Sequence, residues 1–291
     1  MPESKLKHYL HLHFIIFIWG FTAVLGKLIS IDAVPLVWFR LLIATIILFI
    51  YLLIVKTNFK VTGRDLIRFF IGGFIIAMHW LTFFYAIKIS NVSITLAGLA
   101  TGALFVSILE PIVFKKKIKL YELLLASTTV IGISIIFNVE TTYFMGLVVA
   151  LISSFLSALF TVVNTIYIKK YEASVLSVYE LLFATLTISV FLFFKQGFSL
   201  QMFNLSSQDW LYIFILGSIC TAYALTASSF LLKKFSPFTI MLTINLEPVY
   251  GIILALLVFG GSEKMNSNFY FGAILIFITV IVNGLVKSKQ K

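Results

Sequence analysis

Four ionisable side chains lie inside long apolar stretches of the sequence, namely Arg40, Glu110, Glu180 and Glu247. At the centre of a membrane helix a charge costs roughly 2.5–3.5 kcal/mol on insertion scales, so such residues are candidates for function. Glu247 is the leading candidate because it falls near the middle of its stretch, and the adjacent Pro248 opens the local backbone hydrogen-bond ladder. An acid at that depth can exchange a proton or hold a cationic group. The alternative is a protonated or paired structural acid that stabilises a helix kink.

Arg40 and Glu180 occupy matching places in two similar strings. When Phe39–Thr45 is aligned with Tyr179–Thr185, four of the seven positions are identical. Opposite charges at matching places can pair with each other, or each can serve its own end of the protein. Structural anchoring or gating is the favoured interpretation of both, rather than contact with a substrate.

Glu110 lies near the end of its apolar stretch, four residues before Phe114 and next to three lysines at 115–117. A surface ion pair is the favoured interpretation. The string Leu109-Glu110-Pro111 recurs as Leu246-Glu247-Pro248, but aligning the two requires a smaller offset than the other internal matches have. We therefore interpret this recurrence as coincidence.

Several uncharged side chains could line a pathway. A neutral imidazole can donate a hydrogen bond to a substrate or relay protons, and buried amides can bind polar groups. Hydrogen bonding between helices, or simple packing, is the alternative interpretation of each. The uncharged pathway candidates are Trp19, His79, Trp80, Tyr85, Asn164 and Asn245.

Motifs for metal, nucleotide or covalent chemistry are missing from the sequence. Histidines 8, 11, 13 and 79 make no convincing metal set, and the single cysteine, Cys220, excludes disulfide frameworks. Residues 20–28 resemble a nucleotide-binding loop but are one residue too long and lack the Ser or Thr that follows the lysine. We therefore predict no metal, no cofactor and no enzymatic activity.

The elements that position these residues are predicted to be membrane-spanning helices. Apolar residues make up 61% of the chain and charged residues 11%, whereas soluble proteins have about 45–50% and about 25%. A helix needs roughly 20 apolar residues to cross about 30 Å of hydrocarbon. Ten stretches qualify, which predicts an all-α integral membrane protein with ten transmembrane helices. They are residues 12–30, 34–55, 66–87, 92–114, 120–138, 144–168, 175–194, 209–231, 238–259 and 269–286.

The basic residues predict the orientation of the chain. Positive charge is retained on the cytoplasmic side of a membrane. With the N-terminus in the cytoplasm, 17 of the 22 Lys and Arg residues fall on that side and four on the other, with Arg40 inside a span. Both termini are therefore predicted to be cytoplasmic. The net charge of +11 is divided among short clusters, which fit lipid headgroups and not a nucleic acid.

The two halves of the chain are predicted to be repeats of five helices, residues 12–138 and 144–286. Besides the match around Arg40, Lys88-Ile89-Ser90 precedes the fourth span as Lys234-Phe235-Ser236 precedes the ninth. Because five is odd, the second copy must enter the membrane from the side opposite to the first. Such inverted repeats recur in secondary transporters.

The sequence resembles the EamA-type transporters of the drug/metabolite transporter (DMT) superfamily over essentially its whole length. The likeness is carried by Trp19-Gly20, Arg40 with Ala44, Ala86 to Ser93, and Leu246-Glu247-Pro248-Val249. Gly261-Ser262-Glu263 stands where the family pattern has a Gly-Glu pair. The resemblance implies a ten-helix carrier whose central cavity is lined mainly by the first, third, fourth, sixth, eighth and ninth helices.

The predicted function is secondary transport of small metabolites, such as amino acids, by alternating access around a cavity halfway through the membrane. The resemblance favours export, and a proton is a candidate coupling ion. The predicted partners are a small-molecule substrate and the lipid bilayer, in a monomer or weak homodimer. A high content of Ile, Phe and Lys is typical of AT-rich bacterial genomes and predicts a bacterial cytoplasmic membrane. Two alternatives stay open, a membrane-embedded enzyme that modifies lipid and a non-transporting membrane scaffold.

Overall fold

The computed structural model describes residues 3–115, 117, 124–125, 128, 131–136, 141–244 and 246–289, and helices form all the regular secondary structure there. Three shorter helical turns accompany the α-helices, two of them 3-10 (Thr141–Tyr143 and Gly260–Glu263) and one a π-helix (Ser218–Tyr223). The α-helices are α1 (Glu3–Leu28), α2 (Ala33–Ile54), α3 (Gly63–Ile89), α4 (Val92–Leu99), α5 (Gly102–Phe114), α6 (Phe144–Tyr167), α7 (Ala173–Phe194), α8 (Leu200–Phe203), α9 (Ser207–Gly217), α10 (Ala224–Leu231), α11 (Pro237–Ile244), α12 (Glu247–Phe259) and α13 (Ser267–Lys289).

Seven stretches within the described residues are helical, long and apolar enough to cross a membrane. They correspond to predicted spans one to four and six to eight. Of the other three, about half of 120–138 and residue 245 of 238–259 lie outside the described residues, and the tenth lies within α13, of which Ser267–Thr279 is an apolar stretch. Large apolar side chains such as Phe194 and Leu257 are exposed on the outside, as expected where the protein meets lipid.

The predicted fourth and ninth spans are each divided in two. Helix α4 ends at Leu99 and α5 begins at Gly102. Between them, the Thr101 hydroxyl donates a hydrogen bond to the Gly98 carbonyl oxygen at 2.8 Å. Helix α12 begins at Glu247, so Pro248 lies in a first helical turn, where its missing N–H breaks no hydrogen bond. The helical hydrogen-bond ladder is thus open beside Pro248, as predicted, and Pro248 itself lies at the start of the helix that follows.

The helix bounds repeat along the chain. The first and last residues of α7 follow those of α2 by the same number of residues that separates the strings around Arg40 and Glu180. Likewise, the bounds of α11 follow those of α4, and the bounds of α12 those of α5, by one common number of residues. The latter offset is one residue shorter than that between the Lys-x-Ser strings. With this register the two Leu-Glu-Pro strings fall at different places, since Pro111 is inside α5 and Pro248 is at the start of α12. This agrees with the interpretation of their recurrence as coincidence.

Helices α2 and α7 pack against each other in opposite directions. The Trp38 indole Nε1 donates to Ser189 Oγ at 2.8 Å, and the hydroxyls of Thr45 and Thr185 are 3.1 Å apart. Residue numbers therefore rise along α2 as they fall along α7. The two threonines occupy the matching positions of the repeated strings, so this contact joins equivalent points of the two halves.

Candidate functional site

A cavity of about 70 Å³ lies where the two halves meet, and it collects most of the candidate side chains. Its lining comes from α1, α3, α4, α6, α10, α11 and α12, with Arg40 added from α2. These helices belong to the six spans that the family resemblance implies for a central cavity, plus the second. Among the sequence-predicted pathway residues, the cavity is lined by Trp19, His79, Trp80, Asn164 and Glu247.

Glu247 occupies the helix break at one side of this cavity. It is the first residue of α12 and its side chain is 6% exposed. Among the described residues none donates a hydrogen bond to its carboxylate, and none forms a salt bridge with it. Arg40 also lines the cavity, and it lies beyond salt-bridge distance of Glu247. The carboxylate is therefore available to a bound ligand or a proton.

Arg40 is almost completely buried, with 1% of its surface exposed. Its Nε donates to Thr221 Oγ1 at 2.5 Å, and Nη2 points to the Cys220 carbonyl oxygen at 3.5 Å. The guanidinium lies over the ring of Trp80, 4.2 Å from the ring centre, which offsets part of its desolvation. Its third nitrogen, Nη1, is buried and has no hydrogen-bond partner among the described residues.

The π-helical turn Ser218–Tyr223 supplies both partners of Arg40. In it the Thr221 hydroxyl donates to the carbonyl oxygen of Leu216, five residues earlier, at 2.7 Å. A π-turn widens the helix by one residue and frees backbone carbonyls, and such turns are frequent at functional sites. Sequence reasoning missed this turn, since no residue type signals it.

His79 lines the cavity and is held through one of its ring nitrogens. Its Nδ1 lies 2.9 Å from both the carbonyl oxygen and the hydroxyl of Ser153, while that hydroxyl donates to the His79 carbonyl oxygen at 2.9 Å. A hydrogen bond to a backbone carbonyl requires the proton on Nδ1, which leaves Nε2 of the neutral ring as an acceptor. No hydrogen bond to Nε2 is formed by the part of the chain that the structure describes.

Asn164 connects the cavity to a second buried acid. Its Nδ2 donates to Glu180 Oε2 at 3.2 Å, whereas Asn164 Oδ1 and Glu180 Oε1 are buried without a hydrogen-bond partner in the described structure. Glu180 is 0% exposed and does not line the cavity. It forms no salt bridge with Arg40, although the two occupy matching positions, so each serves its own surroundings.

The remaining candidates lie elsewhere. Tyr85 is 50% exposed and does not line the cavity. Glu110 is partly buried in α5, also away from the cavity, and its ion pair with the lysines at 115–117 stays a prediction. Asn245 lies outside the described residues.

Three buried acids escaped the sequence reasoning. Glu263 forms a salt bridge with Lys27 at 2.7 Å and accepts hydrogen bonds from the backbone N–H groups of Val92 and Ser93, at 3.0 and 2.9 Å, at the start of α4. Asp65 and Asp209 lie three residues after Thr62 and Ser206, whose hydroxyls cap α3 and α9. The signals were present, because Glu263 belongs to the Gly-Ser-Glu string and Ser/Thr-x-x-Asp is a helix-start signature.

A wider groove of about 680 Å³ opens on the side of the bundle between α1, α2, α7 and α10. Its lining is mostly apolar but includes His11, Glu172 and Lys233. The His11 Nε2 lies 2.8 Å from the Tyr223 hydroxyl. None of the cavity-lining candidates belongs to this groove, so it is a separate feature.

Comparison with known proteins settles the family. Solved structures yield 28 significantly similar chains. One, described only as "Crystal structure of protein", has a TM-score of 0.72 and 12% sequence identity over 98% of this chain and 99% of its own, which shows a shared fold and no more. A search of curated proteins gives no significant match. The model of the EamA-like transporter family matches residues 8–138 and again residues 144–285. The chain is therefore a multi-pass membrane protein that belongs to the EamA-like transporter family, within the drug/metabolite transporter superfamily.

Proposed function

We propose that this protein is a secondary transporter that exports small metabolites such as amino acids by alternating access around the central cavity. The observation that carries the proposal is the cavity itself, which is lined by a buried cation, Arg40, and a buried acid, Glu247, that form no ion pair with each other. A zwitterion presents complementary charges to such a pair. Trp19 and Trp80 provide flat apolar walls for the rest of the molecule.

The proposed architecture is ten transmembrane helices in two inverted repeats, residues 12–138 and 144–286, with both termini in the cytoplasm. Three features support it: the repeated helix bounds, the opposed directions of α2 and α7, and the contact between the equivalent residues Thr45 and Thr185. A contact between equivalent residues is what a pseudo-two-fold axis at that point produces. Rocking about that axis exposes one cavity to each side in turn.

The orientation can be tested with single cysteines in a Cys220→Ser background. Asn58 and Ser199 lie in the connections that follow α2 and α7. In inside-out vesicles a membrane-impermeant maleimide is expected to label Asn58→Cys but not Ser199→Cys, and in right-side-out vesicles the reverse. Labelling of both from one side contradicts the inverted arrangement.

The proposed function can be tested with the purified full-length protein in proteoliposomes, using a ¹⁴C-labelled mixture of the twenty amino acids in a counterflow assay. The wild type is expected to take up label above empty liposomes. Glu247→Gln and Arg40→Gln are each expected to reduce this uptake by about tenfold or more, the equivalent of losing one charged contact. Tyr85→Phe is the matched control, because Tyr85 is outside the cavity.

Two results would count against this proposal. Uptake of no component by the wild type removes amino acids as the substrate class. Uptake that survives both cavity substitutions unchanged removes the assigned roles of Arg40 and Glu247.

A further inference from the structure

Glu180 is sealed into the helix packing by a close contact with α3. Its carboxyl group lies against Gly72, where even a methyl group would come within 2.6 Å of Oε1. At the adjacent Gly73, a methyl group would meet the Glu180 carbonyl oxygen at the same distance. A larger residue at either glycine would therefore collide with Glu180, which is 0% exposed.

The surroundings of this carboxyl group do not neutralise a negative charge. One neutral donor, the Asn164 amide, reaches Oε2 at 3.2 Å, and Oε1 has no partner in the described part of the chain. The titratable groups on the helices packed against it form neither a salt bridge nor a hydrogen bond with it. They are Arg40 and Tyr51 on α2, Arg64, Asp65, Arg68, His79, Tyr85 and Lys88 on α3, Tyr167 on α6 and Tyr179 on α7. An uncompensated buried carboxylate takes up a proton in preference to remaining charged.

Access to Glu180 runs through the cavity. Asn164 lines the cavity and donates to the acid, so it is the link between them. Towards the end of the bundle where α3 begins, an aromatic layer closes the way, in which the Phe69 ring contacts the rings of Tyr167, Tyr171 and Tyr179 at 6.0, 5.2 and 5.8 Å. The cavity side is therefore the side from which a proton is expected to reach the acid.

We propose that Glu180 is the proton-binding site of the transport cycle and that the Asn164 amide couples it to the substrate. This inference rests on the proposed transport function and adds the coupling ion to it. The step is a simple proton transfer, in which the carboxylate takes one proton from cavity water and returns it later in the cycle.

The two ends of an amide give a physical route for coupling. An ionised Glu180 needs the NH₂ end of Asn164, whereas a protonated Glu180 can donate its O–H to the oxygen end. Rotation of the amide by half a turn exchanges these ends. The cavity then receives a donor in one state and an acceptor in the other, so that substrate affinity follows the protonation of an acid that the substrate never touches.

Infrared spectroscopy of the full-length protein in lipid nanodiscs tests the protonation without any substrate. The carbonyl stretch of a protonated carboxyl group is expected at neutral pH in the wild type, and Glu180→Gln is expected to reduce it by the share of one carboxyl group. Glu110→Gln is the control and is expected to leave that band in place. A band that Glu180→Gln does not change overturns the proposal.

Transport in proteoliposomes with the ¹⁴C-labelled amino acid mixture tests the coupling. Accumulation driven by a pH gradient is expected to fall more than about tenfold in Glu180→Gln, while counterflow, which needs no net proton movement, persists. Asn164→Leu is expected to keep the infrared band and lose the gradient-driven accumulation. Glu180→Asp retains a carboxyl group and is expected to restore part of the accumulation, which a purely structural role would not.

The outcomes separate this proposal from the proposed function. Gradient-driven accumulation that Glu180→Gln leaves intact overturns the proton site while transport stands. Absence of counterflow in the wild type overturns the transport function itself.

Discussion

Two helix crossings occupy matching places in the two halves, yet they hold their charged residues differently. Helix α3 crosses α7 at Gly72 and Gly73 over Glu180, and α9 crosses α2 at Gly217 over Arg40. At both crossings a glycine lies close to the backbone carbonyl oxygen of the charged residue. The acid ends up sealed between helices, while the arginine faces the cavity.

The difference arises in the segment after the glycine. Beyond Gly217 the chain enters the π-helical turn, which directs Thr221 and the Cys220 carbonyl at the guanidinium of Arg40. Helix α3 continues as a regular α-helix past Gly73, and its Gly72 lies against the Glu180 carboxyl group. The same contact between a glycine and a backbone carbonyl oxygen therefore occurs at both crossings. In one half it holds Arg40 at the cavity, and in the other half it holds Glu180 buried between helices.

The largest expected effect is that of Gly73→Ala. The added methyl group would lie 2.6 Å from the Glu180 carbonyl oxygen and 3.0 Å from the Ala184 backbone nitrogen, and backbone atoms cannot move aside without shifting the helix. We expect a loss of about 3 kcal/mol in the free energy of unfolding, at the upper end for overpacking. A thiol-reactive dye can follow unfolding, because Cys220 is the single cysteine and is buried. Gly63→Ala, with nothing within 4 Å, is the control.

The second effect is expected at the other crossing, with Thr221→Val. It removes the acceptor of Arg40 Nε and leaves a buried charged donor unpaired, which costs about 1.5–3 kcal/mol. Dye-monitored unfolding measures the stability, and amino acid counterflow should fall as the guanidinium loses its position. Ser218→Ala, in the same turn but with its hydroxyl bonded to its own helix at Phe214, is the matched control. If Thr221→Val and Ser218→Ala reduce stability and counterflow equally, the hydrogen bond to Arg40 is not the cause of the Thr221→Val effect.

Gly217→Ala is expected to destabilise the protein less than Gly73→Ala. Its methyl group would meet the side chain of Ile43 at 2.8 Å and the Arg40 carbonyl oxygen at 3.1 Å. A side chain yields more easily than a backbone, so we expect a loss of roughly 1 kcal/mol, at the lower end for overpacking. Thermal unfolding of both variants side by side checks the order. A Gly217→Ala variant that is less stable than Gly73→Ala would contradict it.

The sequence predicts much of the frame of this molecule. Apolar length predicts the helices, and the match between Phe39–Thr45 and Tyr179–Thr185 predicts that α2 and α7 hold equivalent positions. In the structure the last residues of these two strings, Thr45 and Thr185, are in contact. Charge in an apolar stretch singles out Arg40, Glu180 and Glu247, all of which are buried. These signals are strong because the cost of burying a charge is large and local.

Other features depend on contacts between distant segments and leave no local signal. At the division of α4 from α5, Thr101 donates to Ser154 on α6, and at the π-helical turn Thr221 accepts from Arg40 on α2. Tyr85 is an example of a wrong assignment of a helix face. It belongs to α3, which lines the cavity, but its side chain is half exposed on the outside. A helical stretch that is apolar all round does not reveal which face is buried.

The smallest expected effect concerns the outer ends of the same helix pairs. At the start of α3, Asp65 binds the Lys170 ammonium group, whereas at the matching start of α9, Asp209 accepts hydrogen bonds from the Ser30 backbone N–H at 2.8 Å and the Ser30 hydroxyl at 2.7 Å. The hydrogen bond to Asp65 raises the pKa of Lys170 above its usual 10.5, so the contact stabilises the protein below that pH and is lost as pH rises through the raised value.

Because Lys170 is exposed, its contact with Asp65 is screened by salt, and the hydroxyl and backbone contacts of Asp209 are not. Lys170→Gln is therefore expected to lower the unfolding temperature slightly in low salt and not at all in high salt. Ser30→Ala, which removes one neutral hydrogen bond, should have the same effect in both. The unfolding temperature of each variant is measured across a series of salt concentrations. If Lys170→Gln lowers it equally at every concentration, the start of α3 is not held by a screened ion pair, and the contrast with the start of α9 is contradicted.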